Sequence, residues 1–193
     1  MKQRLLVGIA VAAMLVAGGA LAQTSNDATG TTTQAGTSAA AMPQITEASE
    51  FVKQAAAGGE YEIRSSKLAL KQSKSEDVKR IAQRLIDDHT KAGKALKATV
   101  KEAGVKAKIP EKLDQKHQTM MDELKKAKGT AVDFDKIYLD QQLSAHQDAI
   151  ALFSGYAEAG DNDKLKSFAE ATLPTLQEHQ QMVTSVQAGM PSQ

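Results

Sequence analysis

From Ser75 to Val100, apolar positions recur every three or four residues: Val78, Ala82, Leu85, Ala92, Leu96 and Val100. That spacing puts them on one face of a helix, and the face must be buried against a partner. His89 falls in the same stripe, four residues after Leu85 and three before Ala92, so its imidazole points into the apolar interior. Ser73 or Ser75 can cap the start, with Glu76 three residues after Ser73 as a capping box requires. Gly104 supplies the left-handed stop.

The same pattern returns along the chain. Thr46 to Gln72 is helical, with Phe51, Val52, Ala55, Gly59, Ser66 and Ala69 on a face of mostly small residues. Glu62 lies on that face, seven residues from both Ala55 and Ala69, which is two helical turns each way. The pair Gly58-Gly59 costs about 1 kcal/mol per glycine against alanine, so a close helix contact or a kink is expected there. Pro110 is placed to start a shorter helix, Glu111 to Lys128, carrying Leu113, His117, Met120, Met121 and Leu124. Asp133 to Ala159 is the next long helix, with Leu139, Leu143, His146, Ile150, Phe153 and Ala157 in its stripe. After the turn Gly160–Asp163, the last helix carries Leu165, Phe168, Leu176, His179 and Val183, with Pro174 expected to bend it.

No segment alternates with period two, so the fold class is all-α. Four helices of about 26 to 29 residues would each span about 40 Å. The short helix falls between the second and third long ones, where a simple up-down bundle needs only a few residues. A segment of that length predicts a crossover running back along the bundle, as in the ferritin-like four-helix topology.

Each long helix thus contributes one potential ligand near its middle: Glu62, His89, His146 and His179. Packed side by side, mid-helix positions meet at one level. Helical bundles build metal sites in this way, and imidazole suits zinc, copper, iron or nickel. The other reading is a buried polar layer that binds no metal and only fixes helix register. The dinuclear carboxylate pattern needs Glu-x-x-His on two helices. Here Ile86, Leu143 and Leu176 stand three residues before the histidines, so that pattern is absent. Asp88 and Glu178 point about 100° away from the neighbouring histidines and qualify only as outer or rim groups. His117 has no place in the layer and reads as a surface or packing residue.

Composition narrows the setting. Met1 to Arg4 carries two cations, Leu5 to Ala20 is apolar, and Ala20-Leu21-Ala22 is a small-x-small cleavage site. Residues 1–22 therefore read as a signal peptide. Residues 23–45, rich in Thr, Ser, Ala, Gly and Gln, read as a flexible leader, and 46–188 as a single helical domain. Without Lys2 and Arg4 the chain has 22 basic residues against 23 acidic ones, a balance that speaks for neither nucleic acid nor an anionic membrane surface. There is no cysteine, hence no disulfide, thiolate ligand, lipid attachment or covalent haem. No nucleophile with a positioned His–Asp partner and no phosphate-cradling glycine loop appears. No small-molecule substrate is evident either, and oligomeric state is not fixed by the sequence.

Several stretches together resemble a known family: Glu62-Ile-x-x-x-x-Leu68-Ala69, Val78-Lys-x-x-Ala82, Asp87-Asp-His89-Thr90, Phe134-Asp-x-x-Tyr138 and Leu173-Pro-x-Leu-x-x-His179. They are similar to a bacterial domain-of-unknown-function family whose members are described as ferritin-like and labelled exported or outer-membrane proteins. The resemblance covers about 48 to 187. It implies a ferritin-like bundle in the cell envelope, periplasmic or outer-membrane associated, with an envelope protein as a candidate partner and no established reaction. Glu62, His89, His146 and His179 match the family's polar positions. The family often has an acid before the third-helix histidine, where this chain has Ala145.

Overall fold

The computed structural model describes residues 45–127 and 131–190. The signal peptide expected at 1–22, all of the leader but Ile45, and the turn expected at Gly129-Thr130 lie outside the described residues. Among the described residues there are five helices and no strand: α1 (Ala48–Gln72), α2 (Glu76–Ala103), α3 (Gln115–Lys126), α4 (Ala131–Ala159) and α5 (Asp163–Ala188).

Side-chain caps start three of the helices, α2, α3 and α5. Ser75 caps α2, its Oγ accepting from Val78 N at 3.4 Å. Ser73 instead closes α1 and accepts from Ser75 N at 3.1 Å. Gly104 has φ 67° and ends α2 as expected, its N–H donating to the Lys101 carbonyl while Val105 N reaches back to Val100 O. Asn162 caps α5 through Leu165 N, at 3.2 Å. The short helix starts later than the proline placed it. Asp114 is the cap, accepting from His117 N at 2.9 Å, and Pro110 stays in an irregular stretch. That stretch is held by Val105, Ala107 and Ile109, which lie on the core. α5 runs unbroken through Pro174.

Hydrogen bonds between elements fix the topology. Ala48 N donates to Asp161 Oδ1 and Asp161 N donates to Thr46 O, each at 2.9 Å. The start of α1 therefore sits at the α4–α5 turn. Lys164 Nζ reaches the Glu102 carbonyl at 2.8 Å, bringing the end of α2 to the same end of the bundle. So α1 and α5 run one way, while α2 and α4 run the other. Because α2 and α4 are parallel, the chain between them must return the length of the bundle, and α3 does so packed on α1 and α4. α1 neighbours α2 and α4, α5 neighbours the same two, and α2 faces α4 across the diagonal. This is the crossover topology the connection length predicts.

The core has two main apolar blocks. One, at the α1 start, gathers Phe51, Leu96, Val100, Phe153, Tyr156 and Leu165, with Phe51 stacked on Tyr156 at 4.0 Å. The other gathers Val78, Leu85, Leu124, Phe134, Tyr138 and Leu139. Along each long helix, the histidine or Glu62 falls between the residues of the two blocks. A smaller cluster of Tyr61, Met121 and Ala145 joins α1, α3 and α4.

Candidate metal centre

The three histidines arrive from three helices: His89 from α2, His146 from α4 and His179 from α5. Their rings meet in a triangle, with centroids 5.8 Å (His89–His146), 5.4 Å (His89–His179) and 5.3 Å (His146–His179) apart. One ring nitrogen from each lies within 4.8 Å of the other two. His146 and His179 are each 1% exposed and His89 is 9% exposed.

Hydrogen bonds fix two of the tautomers. His146 Nδ1 lies 2.9 Å from the Gln142 carbonyl. A carbonyl only accepts, so Nδ1 carries the proton and Nε2 keeps its lone pair. His179 Nε2 lies 2.9 Å from Asp88 Oδ2, which leaves the lone pair on Nδ1. The nitrogens left over, His146 Nε2 and His179 Nδ1, are buried without a partner, as is His89 Nε2. A buried polar atom without a partner costs about 1–3 kcal/mol. Three of them on three adjoining rings is a feature that needs a reason.

Burial also keeps the rings neutral. It drives His89 well below the usual histidine range, helped by the two neighbouring imidazoles. Burial takes His146 down to about 4, against the Gln142 hydrogen bond. His179 is lowered by burial too, with Asp88 opposing. At neutral pH the cluster offers three lone pairs and no positive charge.

Around His179 the chain builds a support. Asp88 is ion-paired to Arg84 one turn earlier, and Arg84 Nη2 also lies 3.5 Å from Glu178. Burial would raise Asp88, but the hydrogen bonds from His179 and Arg84 outweigh it and hold the carboxylate below its ordinary range. The sequence places Asp88 as an outer group, and the structure makes it the acceptor that orients His179. Its signal was legible only in part: adjacency to His89 and an Arg four residues back. Glu178 sits at the rim, as its offset predicts.

Glu62 stands beside the triangle. Its Oε1 is 3.7 Å from His146 Nδ1, beyond hydrogen-bond length, and its Oε2 has no partner. Burial pushes this carboxyl well above the usual range, so the pair is two neutral groups in contact. A polar seam joins α1 to α4 nearby: Tyr61 OH to Gln141 Oε1 (2.8 Å), Gln142 Nε2 to Ser65 Oγ (3.0 Å), and Ser66 with Tyr138 OH (2.9 Å). Residue polarity hid Gln141, Gln142 and Ser65 from the pattern, although all three are buried. His117 lies outside the layer, bonded to Asp114 at 2.8 Å with its ring 5.1 Å from that of Tyr61; it is a packing residue.

Metal–imidazole bonds of about 2.0–2.1 Å require the donors to lie somewhat closer than they do here, an inward movement of under about 1 Å for each ring. The donor set is three neutral imidazoles with no thiolate, chemistry that suits copper, zinc, nickel or iron. In class, then, the molecule is a crossover four-helix bundle with a three-histidine cluster in its core. The chain belongs to the family described as a domain of unknown function, DUF4142, whose pattern spans residues 31–186. Among solved structures it is similar to "CopM in the Cu(II)-bound form", with TM-score 0.62 and 17% identity over 76% of this chain and 98% of that one. It is also similar to "CopM in the Ag-bound form (by co-crystallization)", with TM-score 0.61 and 16% identity over the same shares. At these identities the likeness is one of fold. No curated protein matches the chain.

Proposed function

We propose that this protein binds a transition-metal ion, copper in the first instance, through His89 Nε2, His146 Nε2 and His179 Nδ1. The observation that carries the reading is three buried histidines that bring one ring nitrogen each within 4.8 Å of the others, each ring keeping a buried nitrogen without a partner. Copper takes precedence because imidazole suits it and the similarly folded CopM has been solved in Cu(II)-bound and Ag-bound forms. Bound there, the ion would supply a Lewis-acidic centre; the protein supplies neutral donors and two fixed tautomers. Glu62 is the nearby carboxyl that can ionise to balance the added charge. The setting we assign is the cell envelope, from the export signal in residues 1–22, and the role is metal handling or stress. Among the described residues no helix is long and apolar enough to cross a membrane.

Thermal unfolding with Cu(II), Zn(II), Ni(II) or Fe(II) tests the proposal. A ligand at a hundredfold excess over its dissociation constant stabilises by about 2.7 kcal/mol, and the gain should disappear in His89→Ala. No midpoint shift with any metal, or an equal shift in the variant, would leave the layer as a register device only.

A further inference from the structure

A metal-binding histidine normally donates its second ring N–H to a carboxylate, a carbonyl or water. His146 donates to the Gln142 carbonyl and His179 to Asp88. His89 has no such acceptor. Its Nε2 is buried without a partner, and its Nδ1 faces Gly59, where an added Cβ would lie 3.9 Å from that nitrogen. His89, Glu62 and His146, all buried, line a cavity of about 760 Å³, within the range of small-molecule sites.

Three helix-interior glycines, Gly58, Gly59 and Gly93, line this cavity. None has a positive φ, and nothing lies within 4 Å of a Cβ at 58 or 93. The close helix contact expected at Gly58-Gly59 is not found, since a Cβ at 59 would meet only His89 Nδ1, at 3.9 Å, and α1 is helical through the pair. At about 1 kcal/mol each against alanine, what these glycines provide is open space. Ile63, Ile109, Leu152, Phe153, Phe168 and Leu176 make the wall apolar. Around the lining, Lys53 pairs with Glu50 and Lys116 with Asp148. Lys94, Lys97 and Lys112 line it too, with no ion-pair partner among the described residues. A cavity with an apolar wall, spare cations and one donor without an acceptor fits an anion with a hydrocarbon part. Glu62 is the internal competitor, but the pair it forms is with His146, and among the described residues no hydrogen bond or ion pair joins it to His89.

We propose that this cavity binds a small organic carboxylate, whose oxygen accepts the Nδ1–H bond of His89 while its alkyl part lies on the apolar wall. The coupling rests on the metal reading: an acceptor at Nδ1 strengthens Nε2 as a ligand, so carboxylate and copper should each tighten the other by the same factor, about tenfold.

The test is calorimetric titration of acetate, butyrate and hexanoate into the full protein, metal-free and loaded with Cu(II). Gly59→Leu places a side chain against His89, and Gly93→Leu fills open space with nothing within 4 Å; circular dichroism checks that both stay helical. Support is affinity that rises with chain length, tightens about tenfold with copper, and falls at least tenfold in both variants while copper is retained. Equal affinity with and without copper overturns the proposal, because the His89 bond is then missing. So does binding unchanged in both variants, which would mark the surface lysines alone, and so does no binding at all. If dialysed wild type holds no metal, the metal reading fails by itself. The cavity site then stands only if hexanoate binds metal-free protein, shifts the His89 ring ¹⁵N resonances and is excluded by the leucines; any other result overturns it.

Discussion

The Nε2 of His179 lies 2.9 Å from Asp88 Oδ2, across the interface of α5 and α2. One hydrogen bond thereby chooses which nitrogen of His179 faces the cluster, and Arg84 holds the carboxylate that makes it. Replacing Asp88 with Asn keeps the size but removes the charge. We expect metal affinity to fall about 10–100-fold while the helical fold persists. Isothermal titration with Cu(II) on Asp88→Asn measures it, and unchanged affinity would deny Asp88 a positioning role.

Metal-free stability should depend on pH through the cluster. Burial takes His146 from the ordinary histidine value of 6.5 down to about 4. A depressed folded value means the unfolded chain binds the proton first. The contribution is therefore complete above about 6.5 and is lost as pH falls toward about 4, about 3 kcal/mol for this residue. His89 and His179 shift in the same direction. Urea midpoints between pH 7.5 and 4 should fall with acid, and a His146→Leu variant should show a weaker slope.

Glu62 acts with the opposite sign. Its folded value is raised by burial, so the unfolded carboxyl ionises first, and stability is lost as pH rises from about 4.5. Glu62→Gln removes that cost and should raise the metal-free unfolding midpoint at pH 7. A lower midpoint would mean the carboxyl makes a favourable contact in solution.

The register reading makes a separable prediction. With His89, His146 and His179 all changed to Leu, the unpartnered nitrogens disappear, and the apolar blocks can close over the layer. Metal-free stability should be unchanged or higher, and Cu(II) should no longer shift the midpoint. A triple variant that loses its cooperative transition would assign the layer a structural duty. Envelope partners captured equally by His89→Leu/His146→Leu and wild type would favour an interaction module.

Export can be checked by intact mass. The mature chain should begin at Gln23 and be recovered from the periplasmic fraction. A mass that retains Met1 would refute cleavage.

The helical period alone was enough to place Glu62, His89, His146 and His179 in the interior, because face and depth follow from spacing along one helix. The long link between α2 and α4 announced the crossover, since parallel neighbours need a return path. Caps were legible where a single residue decides them, as at Ser75 and Gly104. The contact that displaced the α3 start was not, because Val105, Ala107 and Ile109 gain their place only from a core assembled elsewhere. Nor could spacing reveal which ring nitrogen is free. That choice depends on the Gln142 carbonyl and on Asp88, one set by backbone geometry and the other by a bond between helices 91 residues apart in sequence. Glu62 shows the same limit: its depth was readable, but its place beside the triangle depends on how α1 and α4 are rotated about their axes. The opening at Gly59 is likewise a property of two helices and a crossover together. Periodicity determines which side chains go inside; the mutual rotation of packed helices decides which atoms meet there.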